Sequence, residues 1–465
     1  MMIKPQLKNP WLSLLYVFTC MGAAKSATFE VNTDMDLIDI DVNDGQCLTV
    51  AANCSLRAAI QEANEQEGHD LILLNTDHVT LSVEGHHEND GLTGDLDILD
   101  SVDIIGIKTH KTLIDANYID RVFDFSHANP NIQVLMKNVT IQHGDCMAID
   151  HEDPCGSAFI ITKGTITLEQ LDITENRSFI SSTPGIHIEN ACVIGHQVRI
   201  NNNVGNSDQN LSFAKSGAFY VNGSLPPDTK QLKTCVMFDE FEISNNSGEV
   251  AILARNALVK LENGLISNNL GIGLHSDAAN QIVLENTTIT GHPQQAILND
   301  GGSEINLIHS TIVKNGSDGS TVGGIHDVHG VEFPGGQISQ NDFVKLTNTI
   351  VADNGPGFLA NDIRSATSLG GNIIGEATIF SESNSDLTGV IVDLGKLQDL
   401  GGFAHAYQLP IEFVDLADNQ TCLKADSRGM SRPLDGDQDG ISQCDAGSIE
   451  MTSSDIIFAN SFEKN

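Results

Sequence analysis

From Phe238 to Asn315 the apolar and polar positions recur with a fixed spacing of 23 residues. Four segments carry it: Phe238-Asp-Glu-Phe-Glu-Ile243-Ser-Asn-Asn246, Leu261-Glu-Asn-Gly-Leu-Ile266-Ser-Asn-Asn269, Leu284-Glu-Asn-Thr-Thr-Ile289-Thr-Gly-His292 and Leu307-Ile-His-Ser-Thr-Ile312-Val-Lys-Asn315. Each places one apolar residue, a second five positions on, and a polar residue three further. A constant short period means that each repeat buries its apolar face only against its neighbours, which is the logic of a solenoid. The segments are rich in Ile, Thr and Val and punctuated by Asn and Gly, so the repeating element is a strand. The pattern predicts an all-β, right-handed parallel β-helix.

The pattern continues on both sides, at Met136–Ile141, Leu168–Ile173 and Gly195–Ile200, and again at Leu346–Val351 and Leu369–Ile374. Two intervals are too long: 43 residues separate Ile200 from Ile243, and 39 separate Ile312 from Val351. The excess is expected to leave the solenoid as loops, 207–235 and 317–340, both with Gly and Pro turn chemistry. The repeating Asn246, Asn269 and Asn315 would stack about 4.8 Å apart. There they would tolerate a left-handed turn and bond amide to amide as an inward-facing ladder, with His292 as an interruption.

At the N-terminus Lys4 and Lys8 precede an apolar run, Trp11 to Ala24, and then Ala24-Lys-Ser26. This predicts a secretory signal peptide cut after Ser26. Cys20 follows residues too bulky for a lipid-attachment site. No other apolar run reaches the ~20 residues of a membrane helix. The cut removes Lys4, Lys8 and Lys25, so the 24 basic residues become 21 against 62 acidic, and the formal charge moves from −38 to −41. That excludes nucleic acid as a natural partner. It serves solubility or cation binding. The predicted mature chain is a secreted or surface-held monomer.

Eight of the nine cysteines follow the cut, an even number in an exported chain. Sequence neighbours pair as Cys47–Cys54, Cys146–Cys155, Cys192–Cys235 and Cys422–Cys444. The ends of a β-helix expose core and need caps. Leu56, Ala59, Ile60 and Ala63 share one helical face behind Ser55, which predicts an N-capped amphipathic helix. Asp70–Leu74 then begins the first strand.

That helix carries a resemblance. Cys54-Ser-Leu-Arg-Ala-Ala-Ile-Gln-Glu-Ala-Asn64 resembles the signature of the CSLREA-type N-terminal domain, and Gly94-Asp-Leu-Asp97 with Ile104-Ile-Gly106 resembles its next segment. Leu400–His405, Cys422, Asp426-Ser-Arg-Gly429, Arg432-Pro433 and Cys444-Asp-Ala-Gly447 with Glu450 are similar to a choice-of-anchor Q domain. Asp455–Glu463 is similar to the short tails of such proteins. Ala58 and Ser427 depart from the usual Glu and Gln. The resemblance implies a bacterial exported protein, from a Gram-negative cell, with a pectin-lyase-like fold and no established activity. It divides the chain into 1–26 signal peptide, 27–97 N-terminal cap, 98–395 solenoid, 396–451 C-terminal cap and 452–465 tail.

Candidate chemistry is sparse. Asn75-Thr-Asp77 spells one polygalacturonase element, but ahead of the solenoid and without its companions. Arg199 and Arg255 could serve as a lyase base, yet neither has an evident acidic cluster at coil spacing. His326-Asp-Val-His329 could pair as metal ligands, but a loop with two solvated histidines is the preferred reading. After Ser26 there is no Trp and only Tyr118, Tyr220 and Tyr407 to stack on sugars. The strongest local signal is Asp435-Gly-Asp437-Gln-Asp439-Gly440, the opening of a Ca²⁺ loop. The twelfth position is Ala446 rather than Glu, with Asp445 as a stand-in. Ca²⁺ and an Asp/Gly turn held by a disulfide remain two readings. The function that follows is a non-enzymatic contact with an extracellular polysaccharide or surface protein. The alternative is a polysaccharide lyase or glycoside hydrolase.

Overall fold

The computed structural model describes residues 26–455, apart from 87, 147–155, 179–182, 206–215, 224–233, 279, 320–321, 330, 334–336, 340–342, 358 and 360. The signal peptide, Cys155 and the chain after Asp455 therefore lie outside the described residues.

Among the described residues thirty-four strands join in one continuous sheet, and every strand pair in it is parallel. A typical coil uses three strands, for example Leu258–Glu262, Leu265–Ser267 and Leu270–Ser276. The next coil pairs with it 23 residues on: Leu261 faces Leu284, and Ile266 faces Ile289. This is a parallel β-helix. Its interior is made of stacked columns, one of which runs Ile141, Ile173, Ile200, Ile243, Ile266, Ile289, Ile312, Val351 and Ile374, all fully buried. Gly195 interrupts a neighbouring column because the Phe238 ring overlies it: a Cβ there would sit 2.5 Å from Phe238 Cδ1.

Ile200 pairs directly with Ile243, and Ile312 with Val351, so the surplus residues leave the coil. Neither surplus is a simple loop, however. Ser216–Asn222 falls inside 207–235 and Ile325–Asp327 inside 317–340, and each is the third strand of its coil. The inserted residues lie on both sides of those strands, which hid them from a fixed-period reading. A small antiparallel hairpin, Val331–Phe333 with Gln337–Ser339, stands apart from the main sheet.

The corners separate two tasks assigned above to one Asn. The left-handed residue is the one before the ladder position: Asn245, Asn268 and Lys314 have φ of 56°, 52° and 58°. The ladder residues use their amides instead. Asn246 donates from Nδ2 to Asn269 Oδ1 at 2.9 Å, and Asn315 to Asn354 Oδ1 at 2.9 Å. His292 does not break the series. Asn269 Nδ2 lies 3.2 Å from His292 Nε2, and His292 Nδ1 lies 3.0 Å from Asn315 Oδ1. A neutral ring protonated at Nδ1 accepts from one neighbour and donates to the other, which is what an amide does. Burial pushes its pKa down to about 4, consistent with that neutral form. The ladder extends upstream through Asn176 and Asn203 and ends on Asp362.

The sheet begins earlier than Asp70: Thr28–Val31 pairs with Leu71–Leu74, and the helix Leu56–Glu65 is inserted between them. Ser55 caps that helix by accepting the Ala58 N–H at 3.1 Å. Arg57, Gln61 and Glu62 are buried as well as the apolar face, so this helix has little solvent face. Cys47–Cys54, Cys192–Cys235 and Cys422–Cys444 are bonded. The fourth expected pair involves Cys155 and so lies outside the described residues. The C-terminal cap has its own apolar cluster, centred on Leu409, Phe413, Val414 and Met451 and seated on Val313, Ile350 and Ala352. It also covers the solenoid's flank, since Tyr407 Oη lies 2.8 Å from Thr290 Oγ1 and Ser448 Oγ 2.8 Å from Thr288 Oγ1.

Candidate binding surface and cation loop

Strand alternation sends one residue inward and the next outward. On the third strands the inward series is Ile186, Phe219, Ile252, Leu274, Ile297 and Ile325. The outward series, in register coil upon coil, is His187, Tyr220, Leu253, His275, Leu298 and His326. Val250, Leu253 and Ile272 form a separate apolar cluster on this outer face, with Tyr220 and Leu298 packed against it. Beside His275 opens a cavity of about 740 Å³, lined by Val250, Leu270, Ile272, Pro293 and Asp318 among others.

Polar groups rim the row. The His187 and Tyr220 rings lie 4.9 Å apart, and His187 Nε2 is 3.2 Å from Glu189 Oε1. That contact holds the Glu189 carboxyl below its ordinary range. Arg255 lies 5.9 Å from the Tyr220 ring centre and donates from Nε to Asp277 Oδ2 at 2.6 Å. His275 Nε2 lies 2.9 Å from Asp300 Oδ1. Burial alone would lower the Arg255 pKa, but the bond to Asp277 and the contact with Tyr220 raise it overall. A guanidinium held in its charged form orients anions and hydroxyls well and accepts protons badly.

The expectation that neither arginine has carboxylates nearby is corrected. Parallel stacking supplies them from neighbouring coils: Arg199 lies in register between Asp172 and Glu242. Its Nε is 3.4 Å from Glu242 Oε2, and its guanidinium sits 4.1 Å over the Phe403 ring of the C-terminal cap. Arg199 is thereby a docking contact for the cap. His326 and His329 do not converge on one ion. His326 belongs to the outer row, while His329 turns to Asp327 at 3.3 Å and to the Phe343 ring. Among the described residues neither joins a group of three ligand-type atoms. Asn75 donates to Glu30 at 2.7 Å and Asp77 lies 3.3 Å from His110, both on the surface and within the first coils rather than ahead of them.

In the acidic loop the sequence named Asp435, Asp437, Asp439 and Asp445. The structure gathers Asp435 and Asp437 with Asp415, one oxygen of each within 4.8 Å of the others. Asp439 is exposed and accepts the Ile441 N–H at 2.7 Å. Asp445 is buried and accepts the N–H groups of Asp415 at 2.6 Å and Met451 at 2.5 Å. It supports Asp415 rather than standing in for it. Gly440 N–H donates to Asp435 at 3.1 Å, closing the turn at the sixth position. Asp415 Oδ1 and Asp435 Oδ1 are buried without a hydrogen-bond partner among the described residues. Burial and the neighbouring Asp437 push the Asp415 pKa up to about 6. Two orphaned carboxylate oxygens beside a third carboxylate fit a hard cation such as Ca²⁺. Asp415 was not legible as a partner because it lies 20 residues before Asp435.

The C-terminal motif residues form a buried network. Arg432 lies 3.3 Å from Glu450 with both side chains buried, and it donates to the Asp445 and Gly447 carbonyls at 2.6 and 2.8 Å. Asp426 accepts the N–H groups of Arg428, Met430 and Glu450. These contacts give the motif a structural role in closing the cap.

No family model matches the chain, and no curated protein matches it. Among solved structures it is similar to one described as pectate lyase Pel9A, with 13% identity over 92% of this chain and 98% of that one, at a TM-score of 0.46. It is also similar to a rhamnogalacturonan lyase, with 12% identity over 78% of this chain and 87% of that one, at a TM-score of 0.41. At such identities nothing of either activity is carried to this chain, and the functional reading rests on its own residues.

Proposed function

We propose that this chain is an exported β-helix protein of the CSLREA and choice-of-anchor Q kind that binds an extracellular polysaccharide without cleaving it. The observation that supports this reading is the outer row from His187 to His326. Six in-register positions at about 4.8 Å spacing extend roughly 24 Å, the scale of a short run of sugar units. Half-buried Tyr220, packed on the buried cluster of Val250, Leu253 and Ile272, offers the ring face for a sugar. His187, Arg255, His275 and Asp300 supply convergent hydrogen-bonding groups around it. The chain's net charge of −38 disfavours an uncompensated polyanion. A neutral polymer, or an acidic one bridged by Ca²⁺, is the ligand class that fits. The bonded cysteines accord with an oxidising, extracellular location.

A lyase is the second reading, favoured by the cluster of His275, Asp277 and Asp300, of which Asp277 pairs with Arg255. Its weakness is the base, because Asp277 holds the guanidinium in its charged form. The test measures binding to a panel of neutral and acidic polysaccharides, with and without Ca²⁺. Binding that falls at least tenfold in Tyr220→Ala, with the melting temperature retained, supports the outer row. Binding unaffected by Tyr220→Ala and by Arg255→Gln places the ligand elsewhere and sinks the reading.

A further inference from the structure

We infer that a second cation site, selective for a hard divalent ion such as Ca²⁺, is built into the N-terminal region by Glu88, Asp95 and Asp97. These side chains each bring one carboxylate oxygen within 4.8 Å of the others. Asp95 and Asp97 are two residues apart on an extended segment, so they share one side while Leu96 fills the core. Both are essentially inaccessible to solvent, at 4% and 0% exposure.

Charge and hydrogen bonding leave the site incomplete. Asp95 pairs with Arg121 Nε at 2.8 Å, and Arg121 Nη1 also serves Asp124 at 3.1 Å. Asp124 is the register partner of Asp97 in the next coil. One guanidinium thus answers three carboxylates, Asp95, Asp120 and Asp124. Asp97 Oδ2 accepts the Gly91 N–H at 2.8 Å, but its Oδ1 is buried with no hydrogen-bond partner among the described residues. An ionised carboxylate left so would be costly to bury. A cation bound by oxygens removes that cost, and Glu88, half-buried at the rim, gives it an approach from solvent.

The loop is also held in place before any ion arrives. Arg57 donates to the carbonyls of Gly91, Gly94 and Asp95 at 3.1, 2.7 and 2.9 Å. Gln61 reinforces Gly91 at 3.1 Å. Glu88 in turn accepts the Thr93 N–H at 2.9 Å. Such support orients ligating carboxylates and is the arrangement expected around a metal.

The experiment uses the purified chain carrying Asp437→Ala, which disables the C-terminal loop, after stripping with a chelator. Calcium is titrated calorimetrically. One equivalent of Ca²⁺ should bind, Glu88→Gln should weaken it at least tenfold, and Asp97→Asn should abolish it while the calcium-free melting temperature is kept or raised. Asn replaces the orphaned oxygen without a charge, so a folding failure is not expected, and Glu88→Gln at the rim provides an independent readout. No uptake by the Asp437→Ala chain, or uptake unchanged by both substitutions, overturns the inference. Uptake that Asp437→Ala leaves at two equivalents instead defeats the C-terminal site while leaving this one standing.

Discussion

Arg57 donates from Nη1 to the main-chain carbonyl of Asp95 at 2.9 Å, joining the capping helix to the Gly94-Asp-Leu-Asp97 segment 38 residues later. Its other face pairs with Asp36, at 2.6 Å from Nε and 3.1 Å from Nη2, and both side chains are buried. Two sequence motifs that read as separate are thus one hydrogen-bonded unit.

Replacing Arg57 by Met should therefore be severe. Asp36 would be left as a buried carboxylate without its counter-charge, held by the Ser82 and Val83 N–H groups. The Gly94 and Asp95 carbonyls would lose their Arg57 donor while Gly91 keeps Gln61, a change of about 3–5 kcal/mol in all. Arg57→Lys restores a charge but not the planar fork, and should recover less than half. Chemical denaturation midpoints check both. A Met variant within about 1 kcal/mol of the parent would show that the pair is dispensable.

The corner and the ladder can be separated by mutation. Asn268 has a φ of 52° and its counterpart one coil on is Gly291, so Asn268→Gly should stay within about 1 kcal/mol. Asn269 donates to the Ile243 carbonyl at 3.0 Å and accepts from Asn246, all in the buried interior. Asn269→Ala should cost about 2–3 kcal/mol by leaving these groups unpaired. Thermal melts of the two variants side by side decide it, and equal costs would contradict the division of labour.

His292 makes the ladder sensitive to acid. Its folded pKa is about 4, below the ordinary value of 6.5. Below 6.5 the unfolded chain takes up a proton that the folded ring refuses, so stability is lost as pH falls from about 6.5 to about 4. The difference amounts to about 3 kcal/mol. His292→Asn keeps a ladder amide without a titrating ring and should lose about that much less stability across the window. Parallel stability curves at pH 7 and pH 4 measure it; identical pH dependence in the two proteins would rule the ring out.

For the C-terminal loop, Asp415→Asn and Asp437→Ala should each remove one calcium equivalent, whereas Asp439→Ala should retain it. An ion at a hundred times its Kd stabilises the folded chain by about 2.7 kcal/mol. Retention by Asp415→Asn together with loss in Asp439→Ala would restore the set expected from sequence.

Pectin, polygalacturonate and alginate should not be turned over. Incubation with each, with and without calcium, is followed by reducing ends and by ultraviolet absorbance of unsaturated uronates. Product formation abolished by Arg255→Gln would put the lyase reading first, because Arg255 would then be acting despite its pairing with Asp277.

The sequence by itself determined the period, the apolar columns and the helix cap. Those depend on residues one coil or one turn apart, where spacing alone fixes which side chains meet. It also placed the three bonded cysteine pairs. What only the tertiary structure decided are contacts between coils and across long insertions. Ser216–Asn222 and Ile325–Asp327 became visible as strands only once their coils were stacked, although Gly185-Ile-His-Ile188, Gly271-Ile-Gly-Leu-His275 and Gly324-Ile-His-Asp327 carry a faint common pattern. Asp172 and Glu242 reach Arg199 through register, Asp415 reaches Asp435 through the fold of the cap, and His292 completes a ladder because its buried, neutral ring can both accept and donate. In a parallel solenoid neighbours in space are a whole coil apart in sequence, so the chain states its period plainly and its sites hardly at all.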